Sequence, residues 1–222
     1  GFEFAREKLG RLSNIYFIDL EKNNGKRHAQ KHGFDHVENN AEIIVTIDSD
    51  TILEPNTLKQ LVQRFREPAV GAVTGDVRVL KTKKLLSHLI AGRYWTAFNQ
   101  ERAAQSLFGT VLCCSGPLAA YRNEIIQQVK EKYVSQRFLG EFCTYGDDRH
   151  ITNLVLEQGF KVHFEPRAKA WTHVPSNMPT YLKQQTRWNK SFYRELIWTI
   201  GMVLKSPLKL NPYILYDLSI QT

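Results

Sequence analysis

Asp48 and Asp50 stand one residue apart at the carboxyl end of the apolar run EIIVTIDSD. Alternate residues of a strand point the same way, so two carboxylates placed like this can converge. Two hard oxygen ligands that leave coordination positions open suit Mg2+ or Mn2+ shared with substrate phosphates. An acidic strand-to-loop turn is the plainer reading. Asp147 and Asp148 are adjacent in TYGDDRHITNLV, ahead of an apolar helical run. Asp147 can cap that helix and Asp148 can complement its dipole. One of the two can equally act as a base that takes a proton from a hydroxyl group. The residues alone leave both roles open.

On a helix, Gln184, Arg187 and Trp188 of QQTRW fall at i, i+3 and i+4, on one face. An amide, a guanidinium and an indole together can hold a diphosphate and stack on a sugar ring. A basic amphipathic helix with a core tryptophan fits the same residues. Lys26 and Arg27 follow a glycine turn in NNGKR, where cations and free N–H groups at a helix start can hold phosphate. A solvated charge pair is the local alternative. In CCSGP, the Gly116-Pro117 turn allows a ligand close to the backbone beside Cys114 and Ser115. A turn between strands accounts for it as well, and the thiols read as packing. His28, His32 and His36 recur every four residues; they read as a solvated polar face rather than a metal site.

Residues this scattered need a frame that gathers them. NIYFIDL (14–20) reads as a strand, and NNGKRHAQKHGFDHVEN as a loop entering a helix. EIIVTID (42–48) reads as a strand buried on both faces. PNTLKQLVQRF puts Leu58, Leu61, Val62 and Phe65 at helical spacing behind Pro55. VGAVTGDVRVL reads as two short strands or one bent strand, residues 84–105 as a helix, and VLCCSGPLAAYR as a strand broken at Gly116-Pro117. Residues 147–158 form a helix that Gly159 can end; KVHFEP and AKAWTHV read as short strands. Strands alternating with helices predict an α/β fold with a mainly parallel central sheet. From about residue 180, Trp188, Phe192, Leu196, Ile200 and Val203 form one apolar helical stripe, with Lys183, Arg187, Lys190 and Arg194 beside it. Residues 176–222 hold six Lys/Arg and two Asp/Glu, and six minus two gives +4. Such a helix suits a membrane surface, or a core position with a solvated basic face.

The 222 residues are 42% apolar and 23% charged, enough to bury a globular core. The net charge of +8 points to an anionic partner: nucleic acid, lipid headgroups or phosphorylated small molecules. No nucleic-acid motif accompanies it, which argues against nucleic acid. Three cysteines without paired C-x-x-C spacing fit neither a disulfide framework nor structural zinc. Oligomeric state is not legible.

The order D-x-D, then G-D-D, then Q-x-x-R-W resembles the processive family-2 inverting glycosyltransferases, which include cellulose, chitin and hyaluronan synthases. The stretches RYWTAFNQERAAQSLFG, CCSGPLAAYRNEI, FLGEFCTYGDDRHITNLVL and QQTRWNKSFYRE look most like hyaluronan synthases. Chitooligosaccharide synthases share the frame but are expected to carry G-E-D where this chain has Gly146-Asp147-Asp148. The resemblance implies a glycosyltransferase A-type fold followed by amphipathic interfacial helices. It implies UDP and Mg2+ or Mn2+ at Asp48 and Asp50, and a nucleotide contact at Lys26. Asp148 becomes the base, with Asp147 beside it. Gln184, Arg187 and Trp188 would close over the diphosphate and the acceptor end. Cys114, Ser115 and Gly116 would lie near the acceptor sugar. The implied substrates are UDP-N-acetylglucosamine and UDP-glucuronate, with a growing polysaccharide and a lipid surface as partners. Relatives begin with a βα unit that holds uridine through an earlier aspartate, and they carry transmembrane helices. The expectation is therefore a catalytic segment (1–178 core, 179–222 interface region) on the cytoplasmic face of the plasma membrane, weak or inactive alone.

Overall fold

A computed structural model describes residues 2–10, 12–37, 40–80, 83–205, 212–214 and 216. Its elements are, in chain order, α1 (Phe2–Leu9), α2 (Lys26–Asp35), β1 (Ile43–Thr46), β2 (Ile52–Leu53), α3 (Thr57–Gln63), β3 (Val70–Val79), α4 (Leu85–Thr96) and α5 (Ala103–Phe108). There follow β4 (Ala119–Arg122), α6 (Asn123–Val134), β5 (Arg137–Phe138), β6 (Glu141–Phe142), α7 (Asp147–Glu157), β7 (Lys161–Thr172) and α8 (Met178–Lys205).

Five strands form one sheet in the order β1-β4-β3-β7-β2, and β5 and β6 make a separate hairpin. The α/β class is as expected. The longest ladder, β3 with β7, is parallel. β4 runs antiparallel to both β1 and β3, so β1, β3 and β7 share one direction. β2 opposes β7 at the far edge. Three of the five strands thus run together, while β4, reversed between β1 and β3, and β2, reversed at the edge, make the antiparallel pairings.

Several local expectations change. Residues 15–20 join no ladder among the described residues, although NIYFIDL has strand composition. Without a neighbour to bond its backbone, an apolar run does not become a strand. β1 is an edge strand in which only Ile44 is buried, so EIIVTID is not covered on both faces. Residues 70–79 are one strand, irregular between Gly75 and Asp76. KVHFEP and AKAWTHV merge into β7 across a bulge that faces the same irregularity. The buried Glu165 carboxylate holds that bulge, accepting Arg64 Nε at 2.9 Å, Arg167 Nε at 2.7 Å and the Arg167 backbone N–H at 3.1 Å. The helix expected over 84–105 runs from α4 through a π-helical turn, Ala97–Arg102, into α5. Of VLCCSGPLAAYR only the last four residues are strand; the rest is loop.

α2, α6, α7 and α8 pack against one another in succession, while α3, α4 and α5 lie on the central strands. The core gathers Leu61 and Phe65 from the α3 region, Ile125 and Ile126 from α6, and Leu154 and Val155 from α7. Leu58 stays exposed. Gly71 is where helices meet sheet: a Cβ there would lie 2.6–2.8 Å from Phe160, Val155 and Ile125.

α8 departs most from its sequence pattern. Trp188 and Ile200 are exposed, while Ser191, Arg194, Glu195, Thr199, Met202 and Val203 are buried. The buried face is largely polar because α8 meets the polar start of α7 rather than the sheet. Arg194 therefore does not belong to a solvated basic face. The expected interface region beyond α8 falls largely outside the described residues. Among the described residues no helix is long and apolar enough to cross a membrane.

Candidate active site

Lys26 is the first residue of α2, after Gly25 at φ 86°. Its ammonium lies 2.6 Å from Asp48 Oδ1 and 3.2 Å from Asp147 Oδ2. Three distant stretches of sequence therefore meet at one cation. Burial works against the Lys26 charge, but Asp147 and Asp48 outweigh it and hold its pKa above the ordinary value. β1 has already ended at Thr46, and the Asp48 carbonyl accepts the Thr51 N–H at 3.0 Å, closing a turn. Strand alternation therefore does not place the D-x-D. Asp48 turns toward Lys26, while Asp50 is exposed and bonds no other described residue.

The loop before β4 supplies the floor of the site. Cys114 N–H donates to Thr152 Oγ1 at 2.9 Å, and Ser115 N–H to Thr74 Oγ1 at 3.1 Å. Arg102 reaches the Cys113 carbonyl at 3.2 Å and Ser115 Oγ at 3.1 Å. Thus held, Gly116 sits against the ionic cluster: a Cβ there would lie 2.9 Å from Lys26 Nζ and 3.1 Å from Asp48 Oδ2. Gly116 is the member of the trio placed at the cluster; Ser115 is buried and anchors the loop. Cys114 is fully buried, and burial pushes its thiol far up. Cys113 is pushed up to about 12, by burial and then by the charge of Asp148. Gly116→Ala should displace the far ends of Lys26 and Asp48 and lower turnover by on the order of 10-fold to 100-fold, with little change in melting temperature. Steady-state rates and a thermal melt check this together.

At the start of α7 the cap is Gly146, at φ 75°, and no side chain caps the helix. Asp147 spends its carboxylate on Lys26 instead. Asp148 Oδ1 accepts the Arg149 N–H at 2.9 Å. Burial and then the neighbouring Asp147 charge raise the Asp148 pKa, against the Arg149 N–H, Arg149 and Lys26. A half-buried carboxyl raised in this way suits proton uptake. Neither aspartate is the N-cap residue, and both stand in the first turn of α7, where a negative charge complements the helix dipole.

Gly146 is also where α8 lands. A Cβ there would fall 1.8 Å from Ser191 Oγ and 2.6 Å from Arg194 Nη2. Gln184, Arg187, Trp188 and Ser191 fall at i, i+3, i+4 and i+7, on one face of α8. The Q-x-x-R-W turn therefore lies on the stripe that, one turn further, presses on the residue before Asp147. Gly146→Ala should cost about 2–5 kcal/mol, from left-handed backbone strain plus overpacking. A denaturation curve reads this directly.

Sequence reasoning missed a buried polar group behind this junction. Arg27 is 2% exposed, not a solvated partner of Lys26. Adjacent helical residues diverge by about 100°, so one cation faces the site and the other faces inward. Arg27 meets Gln136, and Gln136 meets Glu195, which also binds His150, Asn153 and Arg194. One signal was available: Glu195 stands seven residues after Trp188, the one acid on a basic helix. The three evenly spaced histidines gather nothing, and no cluster of three or more metal-ligating side chains exists among the described residues.

The profile of the family described as Glycosyltransferase like family 2 matches residues 2–191. The chain is a family-2 glycosyltransferase. This glycosyltransferase is 44% identical over 181 residues to hyaluronan synthase 3 of Mus musculus, covering 81% of the chain and 33% of the relative. It is 44% identical over 207 residues to the hyaluronan synthase of Streptococcus pyogenes, covering 93% of the chain and 49% of the relative. The chain thus spans a third to a half of these relatives. A mannosyltransferase from Pyrobaculum calidifontis, solved with GDP-Man and Mn2+, superposes with TM-score 0.66 over 98% of the chain and 60% of its own. At 20% identity that likeness supports the glycosyltransferase A-type fold alone.

Proposed function

We propose that this glycosyltransferase is the catalytic segment of a membrane-associated, processive, inverting synthase that makes hyaluronan from UDP-N-acetylglucosamine and UDP-glucuronate. The observation that carries the reading is the meeting of Lys26, Asp48, Asp147 and Gly116 beside Asp148, under a Q-x-x-R-W helix seated on Gly146. The similarity to hyaluronan synthases supports hyaluronan as the product.

An acceptor hydroxyl is a poor nucleophile until a base removes its proton, and Asp148 is that base. The hydroxyl oxygen attacks the anomeric carbon, the bond from that carbon to the diphosphate breaks, the proton passes to Asp148, and UDP leaves. A single direct displacement turns an α-linked donor into a β-linked product. Lys26 holds the donor phosphates and orders Asp48 and Asp147. Arg187 answers charge on the departing diphosphate, and Trp188 and Gln184 hold the acceptor end. Asp50, with Asp48, fits Mg2+ or Mn2+: one free exposed carboxylate and one held nearby suit an ion that shares its sphere with a diphosphate. Such an ion would supply positive charge to the leaving group. Chelation with EDTA should therefore stop UDP release, and either ion should restore it.

Residues 1–178 form the core in this reading, and 179–222 lead toward the lipid surface on the cytoplasmic face of the plasma membrane. Exposed Leu182, Tyr193, Ile197 and Leu204 on α8, with nearby basic residues, support that side of it. The test is polymer analysis of the complete protein with each UDP-sugar alone and then both. Hyaluronan from both together is the expected result; polymer from UDP-N-acetylglucosamine alone would make it a chitin-type synthase.

A further inference from the structure

Behind the proposed base lies a buried ionic assembly that touches no reacting atom. Tyr145 and Gly146 immediately precede Asp147, and their carbonyls are its target. Arg27 Nη2 donates to Tyr145 O at 3.0 Å and to Gly146 O at 3.2 Å, and Arg194 Nη2 donates to Tyr145 O as well. These guanidiniums are only 2% and 6% exposed. Two buried cations so close together require an anion, and Glu195 supplies it. Glu195 Oε1 accepts Arg194 Nε at 3.2 Å and Gln136 Nε2 at 2.8 Å, and Gln136 Oε1 in turn accepts Arg27 Nη1 at 2.7 Å. The second oxygen of Glu195 meets His150 Nδ1 at 3.2 Å and accepts Asn153 Nδ2 at 3.2 Å.

His150 and Asn153 stand three apart on α7, so one carboxylate grips that helix at two points of one face. The Cys114 loop grips another face: Thr152 Oγ1 donates to the Asp148 carbonyl at 2.6 Å and accepts Cys114 N–H. Rotation of α7 is thus fixed from two sides, and rotation decides where Asp148 points. Such an assembly is a costly way to gain stability, since apolar packing of the same volume commonly does as well or better. What it adds is direction.

We propose that Glu195 is a positioning residue: it locks Arg27 and Arg194 onto the Tyr145–Gly146 turn and the face of α7, and so ties the aim of Asp148 to the seat of the Q-x-x-R-W helix. The inference rests on Asp148 being the base.

The test uses the complete synthase in membranes and reads UDP release as each UDP-sugar is varied. Glu195→Gln keeps the shape and removes the charge. Its kcat should fall by about 10-fold to 100-fold while KM and UDP affinity stay within about threefold, because misaim of a bound base costs rate rather than binding. Glu195→Asp should recover part of the loss. Added to Asp148→Asn, Glu195→Gln should change nothing further, since both act through one base. Wild-type kcat in Glu195→Gln beside a dead Asp148→Asn protein overturns the inference alone. So does a loss of kcat matched by an equal loss of UDP affinity, or an independent multiplicative effect in the double variant. Wild-type turnover in Asp148→Asn instead removes the base assignment, and this inference with it.

Discussion

Asp148→Asn should lower polymer synthesis by on the order of 10^2-fold to 10^4-fold, the range contributed by a positioned general base. The amide keeps an oxygen where Oδ1 accepts the Arg149 N–H, so the first turn of α7 is undisturbed. It cannot take a proton. Lys26, Asp48 and Asp147 remain in place, so UDP binding should match wild type. Asp147→Asn gives the contrast. It frees Lys26 from one of two carboxylates and also removes the neighbouring charge that helps hold the Asp148 pKa up. That variant should bind the donor differently yet retain measurable transfer. Rates of UDP release and calorimetric UDP titration separate the two. If Asp147→Asn is the dead variant and Asp148→Asn the active one, the roles are reversed.

Glu195→Ala should destabilise the fold by about 3–5 kcal/mol, the usual effect of removing one partner from a buried ionic group. Arg194 and Arg27 would keep their charges at 6% and 2% exposure with the central anion gone. The same group makes stability pH-dependent. Burial lowers the His150 pKa, more than its Glu195 bond raises it, so His150 is neutral in the fold and its Nδ1–H donates to Glu195. As pH falls through the unfolded value of about 6.5, the unfolded chain takes up a proton that the fold resists, and stability declines. Burial of Glu195 by itself would raise its pKa, but bonds from His150 and Gln136 and the charge of Arg194 hold it low. Its contribution is complete above the unfolded value of about 4.3 and is lost as pH drops toward the folded one. Both terms have the same sign. The wild-type melting temperature should fall from pH 7 to pH 5 and more steeply below, and Glu195→Ala should flatten that profile. A wild-type melting temperature flat from pH 7 to pH 4.5 contradicts this account.

The frame was legible because each local pattern carried its own physics. Apolar spacing marked α3 and α7, Gly159 ended α7, and alternation of strands with helices fixed the α/β class. The insertion of a reversed β4 was not legible, because it enters between β1 and β3 through pairings that no local pattern encodes. β7 looked like two strands because its bulge depends on Glu165, whose partner Arg64 lies far away in sequence. The apolar stripe of α8 misled because exposure depends on what a helix meets, and α8 meets polar Gly146, His150 and Asn153.

Within the site, the sequence by itself supplied the candidates: D-x-D, G-D-D and Q-x-x-R-W, in that order, have donor sets suited to a diphosphate, a proton and a sugar. Only the tertiary structure gave them different surroundings. Asp147 and Asp148 are neighbours of the same type, and their difference comes from Lys26, 121 positions earlier, which claims one of them. Burial beside Cys113 leaves the other with a raised pKa and no ion pair among the described residues. Charge and solvation act through space, so the roles of two identical side chains depend on contacts that the order of residues does not contain.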